Sequence, residues 1–371
     1  MKLCLIYNFA QHYRANIFKL ISEEFDCDFV FGNTMGDVKK MDYSLLRGKV
    51  SEVKLRSIIR GWTWQPKVIS QLFNKYDSYI LLGETRSVSA WMFCLLQRIL
   101  FPKKKVYFWT HGWYGKESHL EALIKKVFLR LPNGGLFLYG NYARNLMIKE
   151  GFEPEKLYVI HNSLAYDKQI ELRSLIGRND IYREHFKNTY PNIFFVGRLT
   201  AIKKIEQLIM ALHTLKQQGK EYNLTIIGDG EKREELEGMV SSLCMKDSVW
   251  FYGSCYDERE LGTMIYNADL CVSPGNVGLT AIHSMSFGTP VMTHDKFAYQ
   301  MPEFEAIKEG ETGGFFRYDD VNSIACSIEE WFDKYAGSRE KTRLACYSEI
   351  DKNWTPYAQL DLLKNVLTPH E

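Results

Sequence analysis

Short apolar strands alternate with amphipathic helices along this chain, and the alternation runs through two successive series. Parallel strands need a connection of a dozen or more residues between them, and that connection is usually a helix. The pattern therefore predicts an α/β protein with two Rossmann-like parallel sheets. Strands are predicted at residues 2–7, 27–31, 79–82, 106–110, 136–139 and 157–160, and again at 192–196, 224–227, 249–252, 270–273 and 291–293.

The predicted helices follow from apolar residues spaced three and four positions apart. They lie at residues 15–24, 85–100, 119–131, 205–218, 233–243, 280–287 and 355–367. A polar stretch with weak periodicity separates the two series, and 371 residues suit two domains. We predict a first domain at 1–163, a linker at 164–190, a second domain at 191–345 and a C-terminal helical segment at 346–371.

The composition is that of a globular protein, with 46% hydrophobic and 25% charged residues. No apolar run reaches the ~18 residues that a membrane-spanning helix needs, and the first residues fit a β-strand better than a signal peptide. The eight cysteines lack C-x-x-C spacing, so neither a zinc ribbon nor a disulfide framework is predicted. We therefore expect a cytoplasmic protein.

Charge is distributed unevenly although the net charge is only +2. Residues 1–163 hold 24 Lys and Arg against 14 Asp and Glu, whereas the remainder holds 23 against 31. Residues 98–130 hold eight Lys and Arg against only Glu117 and Glu121. The imbalance favours an anionic partner for the first domain, either nucleic acid or an acidic membrane surface, and an uneven solvated surface without a partner is the alternative.

Several common ligand motifs are absent from the sequence. There is no G-x-x-x-x-G-K-[ST] and no G-x-G-x-x-G after the first strand, which argues against a P-loop enzyme and a nicotinamide dehydrogenase. The D-x-D pair of Asp26 and Asp28 sits where a strand begins, whereas α/β proteins bind ligands where strands end. No metal site is predicted.

The second half carries three segments suited to a nucleoside diphosphate. Gly197-Arg198-Leu199 and Lys203 place two cations between a strand end and a helix start, where a diphosphate is well bound. Gly228-Asp229-Gly230 is a glycine-rich turn, where the backbone can approach a ligand closely. A third loop runs from Ser273 to Gly278-Leu279, where a helix begins with free N–H groups.

In this order and spacing the motifs resemble glycosyltransferase family four, whose members are retaining enzymes of the GT-B fold. The likeness covers most of the second half and, more loosely, the first. It implies two Rossmann-like parallel-sheet domains that face each other across a cleft. The first is expected to bind the acceptor and the second the nucleotide sugar, and the C-terminal helix at 346–371 is expected to cross back to the first domain. The matching residues are Gly197, Arg198 and Lys203 as a diphosphate clamp, Gly228, Gly230, Tyr252 and Gly253 near the nucleoside, Gly278, Leu279, Met285 and Gly288 in the donor segment, and His111 after a strand of the first domain.

The sequence departs from the family at two positions of the donor segment. The family carries two glutamates eight positions apart, one toward the donor sugar and one toward the ribose, where this chain has Gly275 and His283. A neutral imidazole can still donate and accept hydrogen bonds, so His283 is a candidate for the ribose, with helix packing as the alternative. Asn276, Glu303 and Glu305 are candidates to compensate for the missing carboxylates.

The resemblance implies a set of site residues. Arg198, Lys203 and His111 are expected to be catalytic. His12, Arg14 and Glu84 are weaker candidates for the acceptor, and Arg14 could instead pair with Glu23 or Glu24. The expected donor-binding residues are Gly197, Gly228, Gly230, Tyr252, Gly253, Asn276, Gly278, Leu279, Thr280, His283 and Glu305.

The predicted function is transfer of a sugar from a nucleotide-diphosphate donor, UDP rather than GDP, to a lipid-linked glycan. The resemblance implies retention of configuration, and two cations in place of a metal imply metal independence, with no cofactor. Polysaccharide, lipopolysaccharide or capsule synthesis at the inner face of the plasma membrane is the expected setting. The alternatives are a nucleotide-sugar-binding protein without transfer activity, a GT-B sugar-nucleotide epimerase and, less favoured, a nucleic-acid-binding protein.

Overall fold

Two compact units make up the protein, as a computed structural model shows for residues 1–33, 36, 38–59 and 61–368. The first unit combines Met1–Ala165 with Trp354–Glu371, and the second is Tyr166–Asn353. Each is built around a parallel sheet with helical crossovers, so the predicted fold class is confirmed. Residues 369–371 of the predicted C-terminal segment lie outside the described residues.

The first unit contains a seven-stranded parallel sheet in the order β3-β2-β1-β6-β7-β8-β9 and a two-stranded ribbon, β4-β5. The strands are β1 (Lys2–Tyr7), β2 (Asp26–Gly32), β3 (Val50–Val53), β4 (Arg56–Ser57), β5 (Thr63–Trp64), β6 (Ser78–Leu82), β7 (Lys105–Thr110), β8 (Gly135–Leu138) and β9 (Leu157–Val159). The helices are α1 (Ala15–Glu24), α2 (Val88–Leu100), α3 (His119–Leu129) and α4 (Asn141–Lys149), joined from the chain's end by α13 (Pro356–Leu367).

Both faces of this sheet are covered, which is why its strands are apolar at successive positions. Along β1, Leu3 and Leu5 enter one core with Phe18 of α1, whereas Cys4 and Ile6 enter the other with helices α2 and α3. The side chains alternate between faces, as the two-residue period of a strand requires.

Helix α3 divides its apolar residues between core and solvent. A capping box of Ser118 and Glu121 starts it, and Phe128 is buried. Leu120, Leu123 and Val127 are exposed, so only part of the apolar residues of this helix faces the core.

The second unit contains a six-stranded parallel sheet in the order β12-β11-β10-β13-β14-β15. Its strands are β10 (Asn192–Val196), β11 (Asn223–Ile227), β12 (Val249–Gly253), β13 (Leu270–Ser273), β14 (Val291–His294) and β15 (Gly313–Phe316). Its helices are α5 (Tyr166–Leu175), α6 (Ile181–Phe186), α7 (Ile205–Gln217), α8 (Arg233–Ser242), α9 (Glu258–Asn267), α10 (Leu279–Ser286), α11 (Val321–Tyr335) and α12 (Arg339–Asn353).

The segment predicted as a linker, residues 164–190, contains two helices and is grouped with the second unit from Tyr166 onward. The Tyr182 hydroxyl of α6 donates to the carbonyl of Met264 at 2.8 Å, and the Arg173 guanidinium of α5 pairs with Asp351 at 2.8 Å. These polar contacts fix α5 and α6 to the unit, although their sequences carry little apolar periodicity.

The last helix, α13, is part of the first unit. Thr355 caps its start by accepting from the Ala358 N–H at 3.0 Å, with Pro356 in the first turn. The Ser163 hydroxyl donates to the Gln359 side chain at 2.7 Å, and Leu363 is fully buried in the core that contains β1. Helix α13 is therefore a structural helix of the first unit.

Candidate active site

Glycine turns end three adjacent strands of the second unit. The Gly197 N–H after β10 donates to the Ile227 carbonyl at 3.0 Å, and the Gly228 N–H donates to the Gly253 carbonyl at 2.8 Å. A Cβ at Gly228 would lie 1.9 Å from the Gly197 carbonyl oxygen, so this close backbone approach requires glycine. The turns leave room for a ligand to approach backbone at the carboxyl ends of the strands.

The two predicted cations differ in their surroundings. Arg198 is exposed, and its guanidinium makes no hydrogen bond or ion pair within the described residues. The Lys203 ammonium donates to the backbone carbonyl of Asn276 at 2.7 Å and to its side-chain oxygen at 2.8 Å. Burial lowers the pKa of Lys203 to about 8, against the attraction of the Glu303 carboxylate and with a smaller contribution from Arg198.

The loop between β13 and α10 packs tightly against the turn that carries Lys203. The Gly275 N–H donates to the Lys203 carbonyl at 3.0 Å, and a Cβ at Gly275 would lie 2.0 Å from the Ile202 carbonyl oxygen. Position 275 therefore has no room for a side chain in this backbone. The carboxylate that the family carries there is excluded by backbone packing.

Buried polar contacts hold the remainder of this loop. The Gln300 side chain accepts from the Val277 N–H at 2.9 Å and donates to the Thr293 hydroxyl at 2.8 Å. Gly278, with φ of 51°, turns the chain into α10, and Thr280 donates to the Val196 carbonyl at 3.1 Å. The N-terminus of α10, beginning at Leu279, thus lies beside the end of β10, where an anion meets the positive end of the helix dipole.

His283 in α10 is paired with a carboxylate that the sequence analysis did not identify. Its Nε2 lies 3.0 Å from the Glu258 Oε1, at the start of α9, and Gln169 donates to the same oxygen at 3.1 Å. Burial raises the pKa of Glu258, but His283, the hydrogen bond from Gln169 and the charge of Lys168 together outweigh burial and hold that pKa below its usual value. A carboxylate is therefore present beside position 283, supplied by a neighbouring helix.

Three other candidates lie on the same unit. Glu303 is buried and Glu305 half-buried in the turn Pro302–Ala306. The Tyr252 hydroxyl hydrogen-bonds to the Glu260 carboxylate. This bond and burial raise the pKa of Tyr252 to about 12.

His111 follows β7 in the first unit. Its ring lies 4.6 Å from that of Tyr139 and 6.0 Å from that of Tyr114, measured between centroids. Burial is the main cause that lowers the pKa of His111 to about 4, and the charges of Arg14 and Lys125 lower it further. His111 is therefore neutral near pH 7 and able both to donate and to accept a hydrogen bond.

Arg14 is enclosed by aromatic rings, with 6% of its surface exposed. Its guanidinium lies 5.2 to 5.5 Å from the ring centroids of Tyr7, Trp109 and Tyr139, and it donates to the Tyr139 hydroxyl. Pairing with the acidic end of α1 is not seen, because Glu23 pairs with Lys19 and Arg47 and Glu24 with Lys364. The other two acceptor candidates, His12 and Glu84, have exposed side chains.

In the part of the chain that the structure describes, no group of three or more His, Cys, Asp or Glu is arranged to hold a metal ion. Within those same residues, no helix has the length and apolar character needed to cross a bilayer.

Most of the second unit matches a known protein family. Residues 178–349 match the family described as glycosyl transferases group 1. The chain is 28% identical over 149 residues to the alpha-D-kanosaminyltransferase of Streptomyces kanamyceticus, and 31% identical over 187 residues to an uncharacterized glycosyltransferase of Methanocaldococcus jannaschii. These matches cover 39% and 47% of this chain but only 35% and 44% of the relatives, so the chain matches less than half of their length.

Comparison with solved structures extends over both units. The Anabaena protein HepE, crystallised with UDP, aligns with a TM-score of 0.73 over 99% of both chains at 13% identity. The lipopolysaccharide outer core galactosyltransferase WaaB aligns with a TM-score of 0.72 over 99% of both chains at 15% identity. These likenesses show that the chain has the GT-B fold.

Proposed function

We propose that this chain, which has the GT-B fold and whose residues 178–349 match glycosyl transferases group 1, moves a sugar from a nucleotide-diphosphate donor to a hydroxyl of a glycan. The bond between the anomeric carbon and the diphosphate oxygen breaks, and the acceptor oxygen bonds to that carbon. The acceptor proton leaves with the diphosphate. The observation that carries the proposal is the convergence of Arg198, Lys203 and the N-terminus of α10 where the strands end.

These three groups suit the charge that grows on the leaving diphosphate. Arg198 has no internal partner within the described residues. The N-terminus of α10 has free N–H groups and is the positive end of the helix dipole. Lys203 is half-buried and already oriented by Asn276. Two cations and the N-terminus of a helix supply the positive charge that a metal ion would otherwise bring to the leaving diphosphate, so we propose a reaction independent of a metal ion.

The nucleoside side of the donor site rests on His283 and Glu258. We assign the ribose hydroxyls to His283, whose imidazole is held by the Glu258 carboxylate at 3.0 Å. The backbone at Gly228, Gly230 and Gly253 is assigned to the nucleoside and diphosphate. UDP is favoured as the nucleotide because HepE, which shares the fold along 99% of its length, was crystallised with UDP.

The sugar side rests on His111. The pKa of about 4 keeps His111 neutral near pH 7. A neutral imidazole can hydrogen-bond a sugar hydroxyl, and without a charge it does not attract the diphosphate away from Arg198 and Lys203. We propose retention of configuration, as the resemblance to family four implies, with departure and attack on the same face of the sugar. The acceptor is proposed to be a lipid-linked glycan, in polysaccharide, lipopolysaccharide or capsule synthesis.

The test begins with binding and proceeds to turnover. UDP, GDP, UDP-glucose, UDP-galactose and GDP-mannose are screened by thermal shift, because a ligand present at 100 times its Kd adds about 2.7 kcal/mol to stability. Release of nucleoside diphosphate with a glycan acceptor, with EDTA present, then tests transfer. If a nucleotide sugar stabilises the protein but no glycan acceptor causes release of nucleoside diphosphate, the protein binds the donor without transferring the sugar. Conversion of one nucleotide sugar into its epimer in the absence of an acceptor would indicate an epimerase.

A further inference from the structure

Two neighbouring helices of the first unit expose a row of large apolar side chains. On α2 the side chains of Met92, Leu95 and Ile99 are 41%, 46% and 74% exposed. Their spacing of three and four residues places them along one side of the helix. The opposite side of α2, which includes Phe93 and Cys94, is buried in the core.

Helix α3 continues this apolar surface. Leu120, Leu123 and Val127 are 68%, 61% and 49% exposed, again at helical spacing. The two helices are packed side by side, because the Trp91 ring of α2 lies 5.0 Å from the Phe128 ring of α3. We call these six exposed residues on α2 and α3 the apolar surface.

Basic residues border the ends of the same helices. Lys103 and Lys105 are exposed just beyond α2, and Arg130 is exposed at the end of α3. Arg98 donates to the carbonyls of Leu131 and Arg130 at 2.9 and 2.6 Å. Among the described residues, none of these four cations has an acidic group within ion-pair distance.

Not every cation of the basic segment contributes to this border. Lys125 is only 15% exposed and pairs with Glu117 at 2.7 Å, and Lys126 pairs with Glu150 at 3.2 Å. Arg98, Lys103, Lys105 and Arg130 are therefore exposed cations at this border that no described carboxylate neutralises, whereas the half-buried Lys104 donates to the carbonyls of Leu72 and Asn74.

We propose that the apolar surface and these four cations dock the first unit on an anionic lipid bilayer. Apolar side chains enter the boundary of headgroups and acyl chains, while lysine and arginine attract anionic headgroups. A second copy of this chain is disfavoured as the occupant, because an isologous interface would bring the two basic borders together. The proposal refines the acceptor side of the proposed function, yet docking needs neither donor nor transfer.

The experiment is co-sedimentation of the full chain with vesicles, without any nucleotide sugar. Vesicles of phosphatidylcholine alone are compared with vesicles of equal parts phosphatidylcholine and phosphatidylglycerol, at low and high salt. Lys103→Glu/Lys105→Glu and Leu120→Ser/Leu123→Ser test charge and apolar contact separately. The matched controls are Lys246→Glu/Lys341→Glu and Leu344→Ser, at exposed positions of the second unit.

We expect the wild type to partition at least about tenfold better into the anionic vesicles, and high salt to reduce that preference. Both first-unit variants should lose most of this binding, and both controls should keep it. Equal binding to the two vesicle types, unchanged by the variants, would overturn the proposal. Concentration-dependent dimers in light scattering that Leu120→Ser/Leu123→Ser abolishes, without vesicle binding, would instead identify a self-association surface. Thermal shift with UDP reports donor binding independently of either result.

Discussion

The Lys203 ammonium donates to both the backbone carbonyl and the side-chain oxygen of Asn276, at 2.7 and 2.8 Å. A residue expected to bind diphosphate thus also fixes the loop that leads into α10. Because burial lowers its pKa to about 8, Lys203 changes charge near neutral pH. The charge on this cation of the free protein therefore depends on pH around 8.

The first prediction concerns alkaline pH. Because the protonated form of Lys203 stabilises the diphosphate, kcat/KM for the donor should fall as pH rises through about 8. Lys203→Arg keeps its charge throughout and should shift this loss to higher pH, whereas Lys203→Met should reduce kcat/KM by about two orders of magnitude at all pH values. A profile of Lys203→Arg that matches the wild type would assign the alkaline limb to another group.

The second prediction concerns the missing carboxylate at position 275. Gly275→Glu should not raise activity, and should lower the free energy of unfolding by about 1–3 kcal/mol or more, because its Cβ meets the Ile202 carbonyl oxygen. Gly177→Glu is the matched control, since Gly177 is exposed and a Cβ there meets no atom within 4 Å. Urea denaturation measures both. A stable and more active Gly275→Glu protein would show that the loop can open to admit a side chain.

The third prediction concerns the charge of the His283–Glu258 pair. His283→Glu places two carboxylates in contact, so it should lower the melting temperature and weaken UDP binding. Adding Glu258→Gln removes one charge and should recover much of both losses, leaving a carboxylate at position 283. Thermal shift and UDP titration provide the measurements. If the double variant is as impaired as His283→Glu alone, charge repulsion is not the cause.

The fourth prediction concerns acidic pH. The pKa of His111 is lowered to about 4, so between pH 6.5 and 4 the unfolded chain binds a proton that the native protein does not. Stability should therefore fall across this range as pH decreases, by up to about 3 kcal/mol from this one group. His111→Gln should flatten that part of the profile, measured by urea denaturation at each pH.

The same histidine offers a test of Arg14, whose charge contributes to the lowered pKa. NMR titration of His111 should give a higher pKa in Arg14→Gln, and a pKa near the wild-type value in Arg14→Lys. An unchanged pKa in a folded Arg14→Gln protein would leave burial and Lys125 as the causes.

Much of the fold could be predicted from sequence, because parallel α/β units leave strong local patterns. β10 and β1 were predicted with the bounds that the structure has, since each is a short apolar run beside a turn. Helix α5 was missed because its buried face includes Gln169 beside Leu172, which gives no apolar stripe. Helices of this kind are held by contacts with distant residues.

The candidate site was predictable only where the chemistry is local. The glycine turns and Arg198 can each be recognised from a short segment of sequence. The Glu258 carboxylate lies 25 residues from His283 and meets it only once α9 and α10 have folded. Likewise, the sequence shows only that Gly275 stands where the resemblance predicts a glutamate. The structure adds the reason, because the carbonyl oxygen of Ile202 leaves no room for a side chain there.

The return of α13 to the first unit affects how the protein is made. During synthesis, the strands of that unit leave the ribosome long before the helix that carries Leu363, which completes the core around β1. The second unit, contiguous in sequence from Tyr166 to Asn353, can fold first. A fragment that stops at Ala165 should therefore expose apolar core and aggregate, and expression of the first unit alone requires α13 to be joined back to it.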